Sequence, residues 1–301
     1  MSTLRDNEIL LSSKDAELVR WCEPYAVSIL QHYRQTERKT AVSALSEENR
    51  RILVNWICNV TRREHFKSET FWSAVSTLDR YCAINARNSF NSDEMQCIAA
   101  ACIQIAATYQ ETALSPSLDD LVETCDNRYK KERLRATCWK ITAALSADMY
   151  WPAPISFYRH FSQAMRQNTF EHTMTKFIVE STAFARNSLL SAFLPSFLAA
   201  CALFVGQWCT HGHLPSPTWL SDWQTFCFSD SIDPNMETEI ADCLIAMVEW
   251  IANFPSIKDM ESILRKYSHE ELFGVAKKTH LPVDAAAQIR QLFFFTGLRE
   301  N

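Results

Sequence analysis

The chain has 301 residues, 47% of them apolar and 22% charged, enough to bury a sizeable core and too apolar for wholesale disorder. Only four are glycine, against about 7% in average usage, and none precedes Gly206, so the first two thirds hold neither a Rossmann fingerprint nor a Walker loop, and a sandwich, barrel or propeller is disfavoured. The balance of 30 basic against 35 acidic residues, a net charge of -5, lacks the basic excess typical of nucleic-acid binders.

The opening run MSTLRDNEILLSSKDAELVRW is charged, lacks a long apolar core and does not read as a signal peptide. Residues 15–38 form the first amphipathic segment, with Leu18, Trp21, Tyr25, Ile29 and Tyr33 at spacings of three and four. In SEENRRILVNWICNV, Ser46 is placed to cap a helix whose stripe is Ile52, Leu53, Trp56, Ile57 and Val60. Ser68 is placed to cap ETFWSAVSTLDRYCAIN, and Ser92 to cap DEMQCIAAACIQIAATYQ. The last of these carries no charge between Glu94 and Glu111, which predicts a central helix enclosed by others, its alanines permitting close approach. SLDDLVETC and YKKERLRATCWKITAAL complete a group of five.

WPAP, Trp151 to Pro154, then reads as a linker, because proline stops the preceding helix. From Asn187 to Ser221 there is no Asp, Glu, Lys or Arg, and LLSAFLPSFLAACALFVGQW has the length of a bilayer crossing. Pro195, Ser191, Ser196 and Gln207 favour a helix buried in a globular core instead. So does a repeat: IAAACI at 98–103 matches LAACAL at 198–203. ETEIADCLIAMVEWIANF then holds the place in the second copy that YKKERLRATCWKITAAL holds in the first. The pattern predicts an all-α chain of two tandem five-helix bundles preceded by an N-terminal helix. Eleven cysteines, an odd count without CxxC, read as reduced buried thiols of cytosol or nucleus. Cys209, His211 and His213 could ligate zinc only with a further ligand nearby, the basic run from Asn127 to Arg135 reads as a solvated helix face, and the sequon at Asn59 lacks a secretory context.

NRRILVNWICNV, followed by LDRYC about two dozen residues later, resembles the opening of a cyclin box. DDLVETCDNRYKKERLRA is similar to the fourth and fifth helices of that box, and LPSFLAACAL to the third helix of the second cyclin fold. RKYSHEELFGVA resembles the closing segment of A- and B-type cyclins, and YAVSILQHYRQTE the helix they carry before the box. The resemblance covers roughly residues 22–280. It implies a tail and helix over 1–45, an N-terminal cyclin box over 46–150, a C-terminal cyclin fold over 151–280 and a tail over 281–301. It further implies a regulatory subunit rather than an enzyme, of nucleus and cytoplasm, with no cofactor, metal, nucleic acid or membrane. Its partner would be a cyclin-dependent serine/threonine protein kinase, whose mobile helix it holds in the active position within a heterodimer. Substrate or inhibitor proteins with short docking motifs would be further partners, and the whole would control cell-cycle progression. A cyclin-fold adaptor that docks proteins without activating a kinase is the alternative. A nucleic-acid-associated cyclin fold of the general transcription factor type fits the acidic balance and the end segment poorly.

Residue by residue, the resemblance implies an internal ion pair between Arg50 and Asp79. It places Thr108, Tyr109, Glu111, Lys130, Lys131, Thr137 and Ile141 against the kinase. Thr108 and Thr137 stand where a lysine and a glutamate are typical, Cys97 where a leucine is, and Ala147 near where an aromatic is. Either the partner kinase has a diverged surface, or kinase activation has been lost. The docking groove would be Ile52, Leu53 and Trp56 on one helix face, flanked by Met95 and Gln96. Asn49 replaces the methionine that opens the motif, and Asn55 and Asn59 replace two acidic residues, which implies weak docking or an altered motif. No arginine in the first 48 residues has leucine three positions on, so the RxxL destruction motif of the family is not found there.

Overall fold

The structure, a computed structural model, describes residues 25–40, 45–85, 92–111, 117–228 and 234–294. The segment 15–24, the side chain of Ser92 and the tails beyond these limits lie outside the described residues. Helix α1 (Ala26–Thr36) precedes a first bundle of α2 (Glu47–Arg63), α3 (Ser68–Ile84), α4 (Ser92–Gln110), α5 (Leu118–Thr124) and α6 (Lys131–Ala144). A second bundle follows, made of α7 (Pro154–Ala164), α8 (Thr169–Thr182), α9 (Pro195–His211), α10 (Pro217–Phe228) and α11 (Pro234–Asn253). Three shorter helices close the chain: α12 (Glu261–Tyr267), α13 (Val275–Lys278) and α14 (Ala285–Phe294). No strand occurs among the described residues.

Local chemistry sets the helix starts. Ser46 accepts the Asn49 N–H at 3.2 Å and caps α2. Ser117 with Asp120, and Asn168 with Glu171, form capping boxes on α5 and α8. Pro154 and Pro195 open α7 and α9, where a missing N–H costs nothing. Ser68 departs from its expected role. Lys67 holds the cap position of α3, and the acceptor is the Glu111 carboxylate, which takes the Lys67 N–H at 2.7 Å and the Thr70 hydroxyl. Ser68 is instead turned inward, donating to Glu180 at 2.7 Å.

The two uncharged runs lie at the two centres. In α4, Ala99, Ala100, Ala101, Cys102 and Ile103 are wholly buried, with α3 and α6 packed on either side. In α9, Leu198 through Val205 are all buried, enclosed by α7, α8 and α11. Trp223 of α10 donates its indole N–H to the Ala200 carbonyl at 2.8 Å. Gly206 lets α9 approach α8 closely: a Cβ there would lie 2.2 Å from Thr175 Oγ1. No described helix is long and apolar enough to cross a membrane.

Buried charge joins the two bundles. Arg50, 0% exposed, donates Nε and Nη2 to the two carboxylate oxygens of Asp79, both at 2.7 Å, and Nη1 to the Ala183 carbonyl just after α8, also at 2.7 Å. Every fork of the guanidinium is answered, which offsets the cost of removing it from water. Glu180 accepts Ser68 from the first bundle and Lys266 of α12 at 3.0 Å. Arg186, after α8, donates to the Leu45 carbonyl at 2.9 Å and lies 3.5 Å from Glu47. Asn55 of α2 accepts the Ser262 N–H at 2.9 Å and donates to Glu261 at 3.0 Å, tying α12 onto α2.

Candidate functional site

The solvent-facing sides of α4 and α6 carry most of the positions implied above. Thr108 is exposed on the last turn of α4, and its hydroxyl donates back to the Gln104 carbonyl at 2.8 Å. Thr137 does the same on α6, donating to the Arg133 carbonyl at 2.9 Å, with Cys97 Sγ at 3.5 Å. Both threonines are thus answered inside their own helices. Tyr109 is 62% exposed and stacks on Tyr150 with ring centroids 6.1 Å apart. Tyr150 meets Tyr33 of α1, which in turn meets Phe157 and His160 of α7. This aromatic ladder runs from the end of α4 to the second bundle. Ala147 is exposed with a left-handed backbone, φ 56°.

Two of the residues placed against the kinase are buried in the chain itself. Ile141 is fully buried in the first bundle, so it supports the face from beneath and cannot touch a partner. The Glu111 side chain, 7% exposed, is committed to the α3 N-terminus. Both of those hydrogen bonds fall on Oε1, and Oε2 lies 3.9 Å from Lys67 Nζ. Lys130 is exposed at the cap position of α6, and Lys131 pairs with Asp119. Sequence reasoning passed over Trp139, which α6 holds 71% exposed among Arg135, Ala136 and Lys140. Exposed tryptophan of this kind is what interface cores are built from. The signal was its position opposite the α6 side that buries Leu134 and Ile141.

The docking set divides by depth. Leu53 and Met95 are buried, Trp56 and Gln96 half-buried, and Ile52 is 48% exposed. Gln96 accepts the Tyr129 hydroxyl at 3.2 Å. Asn55 is the residue in place for its neighbour: its amide N–H₂ donates to Glu261, which an aspartate could not do. Asn59 accepts from Arg62 at 3.2 Å.

Titratable groups elsewhere are packing groups. Burial pushes the Cys82 thiol up to about 12 and those of Cys58, Cys125 and Cys138 up to about 11, so they are neutral thiols at neutral pH. Of the CxHxH run, burial pushes Cys209 up to about 12, His211 pairs with Glu171 at 3.0 Å and His213 meets the Leu214 carbonyl. No group of three or more His, Cys, Asp or Glu among the described residues could hold a metal ion.

Comparison with known proteins fits this geometry. The family described as Cyclin, N-terminal domain matches residues 26–150, and Cyclin, C-terminal domain matches residues 152–281. Among curated proteins, the chain is 28% identical over 273 residues to a G2/mitotic-specific cyclin-B3 of Gallus gallus, covering 86% of this chain and 62% of that protein. It is 25% identical over 273 residues to a G2/mitotic-specific cyclin-B of Marthasterias glacialis, covering 88% and 66%. It is 26% identical to a Cyclin-B2-2 of Oryza sativa subsp. indica, covering 84% and 56%. The chain thus spans between about half and two thirds of these relatives' length. Among solved structures, a viral cyclin from herpesvirus saimiri aligns with a TM-score of 0.59 at 15% identity, covering 74% of this chain and 96% of that one. That likeness speaks to the fold alone.

Proposed function

The chain belongs to the cyclin family and is B-type-like, and from that premise we propose that it is the regulatory subunit of a cyclin-dependent serine/threonine protein kinase. It binds the kinase through the open side of α4 and α6, holds the kinase's mobile helix in the active position and so shifts its population toward the active state. The observation that carries this is the uncovered end of α4, with Thr108 exposed and Tyr109 at 62% exposure, on a body fixed by the buried Arg50–Asp79 ion pair. Two threonines in place of the usual charges suit a kinase whose facing surface is less polar. The names of the relatives from Gallus gallus and Marthasterias glacialis, G2/mitotic-specific cyclins, support a role in cell-cycle progression. Substrates dock on α2, where Ile52 and Trp56 are the accessible part and Leu53 and Met95 the floor.

A second reading, an adaptor that docks proteins without activating a kinase, is favoured by the internally answered hydroxyls of Thr108 and Thr137. Affinity purification from the native cell followed by a kinase assay separates the two. Recovery of a protein kinase whose activity the chain stimulates supports the first. Recovery of docking-motif proteins with no kinase, or of a kinase without stimulation, overturns it.

A further inference from the structure

A cleft outside the α4–α6 face carries its own chemistry. It lies where the segment after α1 crosses α3 and the linker into α7, and its lining includes Arg38, Thr40, Trp72, Arg80 and Trp151. Two guanidiniums share one indole there: Arg80 sits 3.9 Å and Arg38 5.4 Å from the centre of the Trp151 ring. Like charges gathered this closely repel unless something negative answers them. Only part of that answer is present. Asp148 accepts from Arg80 Nη2 at 3.1 Å and from the Trp151 indole at 2.8 Å. Asp79 also lines the cleft, but both its oxygens are held by Arg50. Arg38 is exposed and has no ion-pair partner among the described residues.

Two donors in the same walls are orphaned. Arg80, 7% exposed, leaves Nη1 buried without an acceptor, and Trp72, 3% exposed, leaves its indole N–H buried without one. Buried donors of this kind are rare in folded proteins and call for an acceptor. Two helix N-termini also reach the cleft, through Pro154 of α7 and Pro195 of α9. That of α9 is answered by Glu37, which accepts the Ser196 N–H at 2.9 Å, whereas that of α7 has no side-chain cap.

The largely apolar cleft therefore gathers two guanidiniums and two unanswered donors around a single partly available carboxylate, Asp148. We propose that it is a binding site for a phosphate group. A phosphate offers several strong acceptor oxygens and a charge that relieves the Arg38–Arg80 repulsion, and guanidinium edges suit it. The group arrives either on a phosphorylated serine or threonine of another protein or as free phosphate. The proposal stands apart from kinase activation, since none of these residues lies on the α4–α6 face.

Calorimetric titration of the full chain tests it, with a glycine-flanked phosphoserine peptide, its unphosphorylated twin, and inorganic phosphate, against sodium chloride at matched ionic strength. The phosphopeptide is expected to bind at least about tenfold tighter than its twin, and free phosphate to compete for the site. Arg38→Gln, at an exposed position, is expected to weaken binding about tenfold with an unchanged melting temperature. Binding of inorganic phosphate but not of the peptide, with the same dependence on Arg38, supports the site and assigns it to free phosphate. No binding beyond the chloride control, or binding that Arg38→Gln leaves unchanged, overturns the proposal. Arg80→Lys, whose fold is checked by circular dichroism, is expected to weaken binding as well.

Discussion

The central helices of the two bundles begin alike and end differently. In α9, Phe204, Val205 and Trp208 are buried, and Trp219 and Trp223 of α10 pack on Phe204 at 6.3 and 5.4 Å. At the matching places of α4, one hundred residues earlier, Gln104 and Ile105 are half-buried and Thr108 is exposed. One copy of the unit is closed by its own aromatic cover, and the other is left open. Duplication thus supplies a rigid frame twice and a free side once. The free side is polar and aromatic because it meets water.

That contrast can be broken by mutation. Trp208→Ala is expected to cost about 3–5 kcal/mol in denaturant unfolding, because nothing can fill the void in α9's cover. Thr108→Ala, its counterpart, is expected to stay within about 0.5 kcal/mol. Similar losses at both would show that α4 is covered too. Arg50→Ala is expected to cost about 3–5 kcal/mol, since it strands the Asp79 carboxylate and the Ala183 carbonyl together. A loss below about 1 kcal/mol would show that the ion pair is not what fastens the bundles.

A finer test compares Gly206 with Ala106, the same place in the two central helices. Gly206→Ala forces a methyl onto Thr175 and is expected to destabilise by about 1–3 kcal/mol. Ala106→Gly, in a site already fitted to a methyl, is expected to cost about 1 kcal/mol from helix propensity. The smallest effect concerns the aromatic ladder. Burial first, and the neighbouring Arg159 second, hold His160 below its ordinary value of 6.5. The folded chain binds that proton less readily than the unfolded one, so this contribution is full above pH 6.5 and is lost as pH falls below it. His160→Phe is expected to flatten the stability profile in that window, and an unchanged slope would assign it to other groups.

The fold was legible because its signals are local. Two uncharged runs and the IAAACI and LAACAL match placed α4 and α9, and the caps at Ser46 and the proline at 154 set neighbouring boundaries. The site was less legible because side-chain direction depends on partners far along the chain. Glu111 points to Lys67 across 44 positions, Ser68 to Glu180 across 112, and Asn55 to Ser262 across 207. No spacing rule reports those pairings. Ile141 shows the same limit: its place on α6 is evident, but which side α4 would cover is a matter of packing.

Backbone hydrogen exchange of the chain, alone and with any protein kinase recovered with it, tests the central claim most directly. Slowed exchange is expected at the end of α4 and along α6, with α10 unchanged. Protection confined to α2 or α10, or none at all, would contradict it.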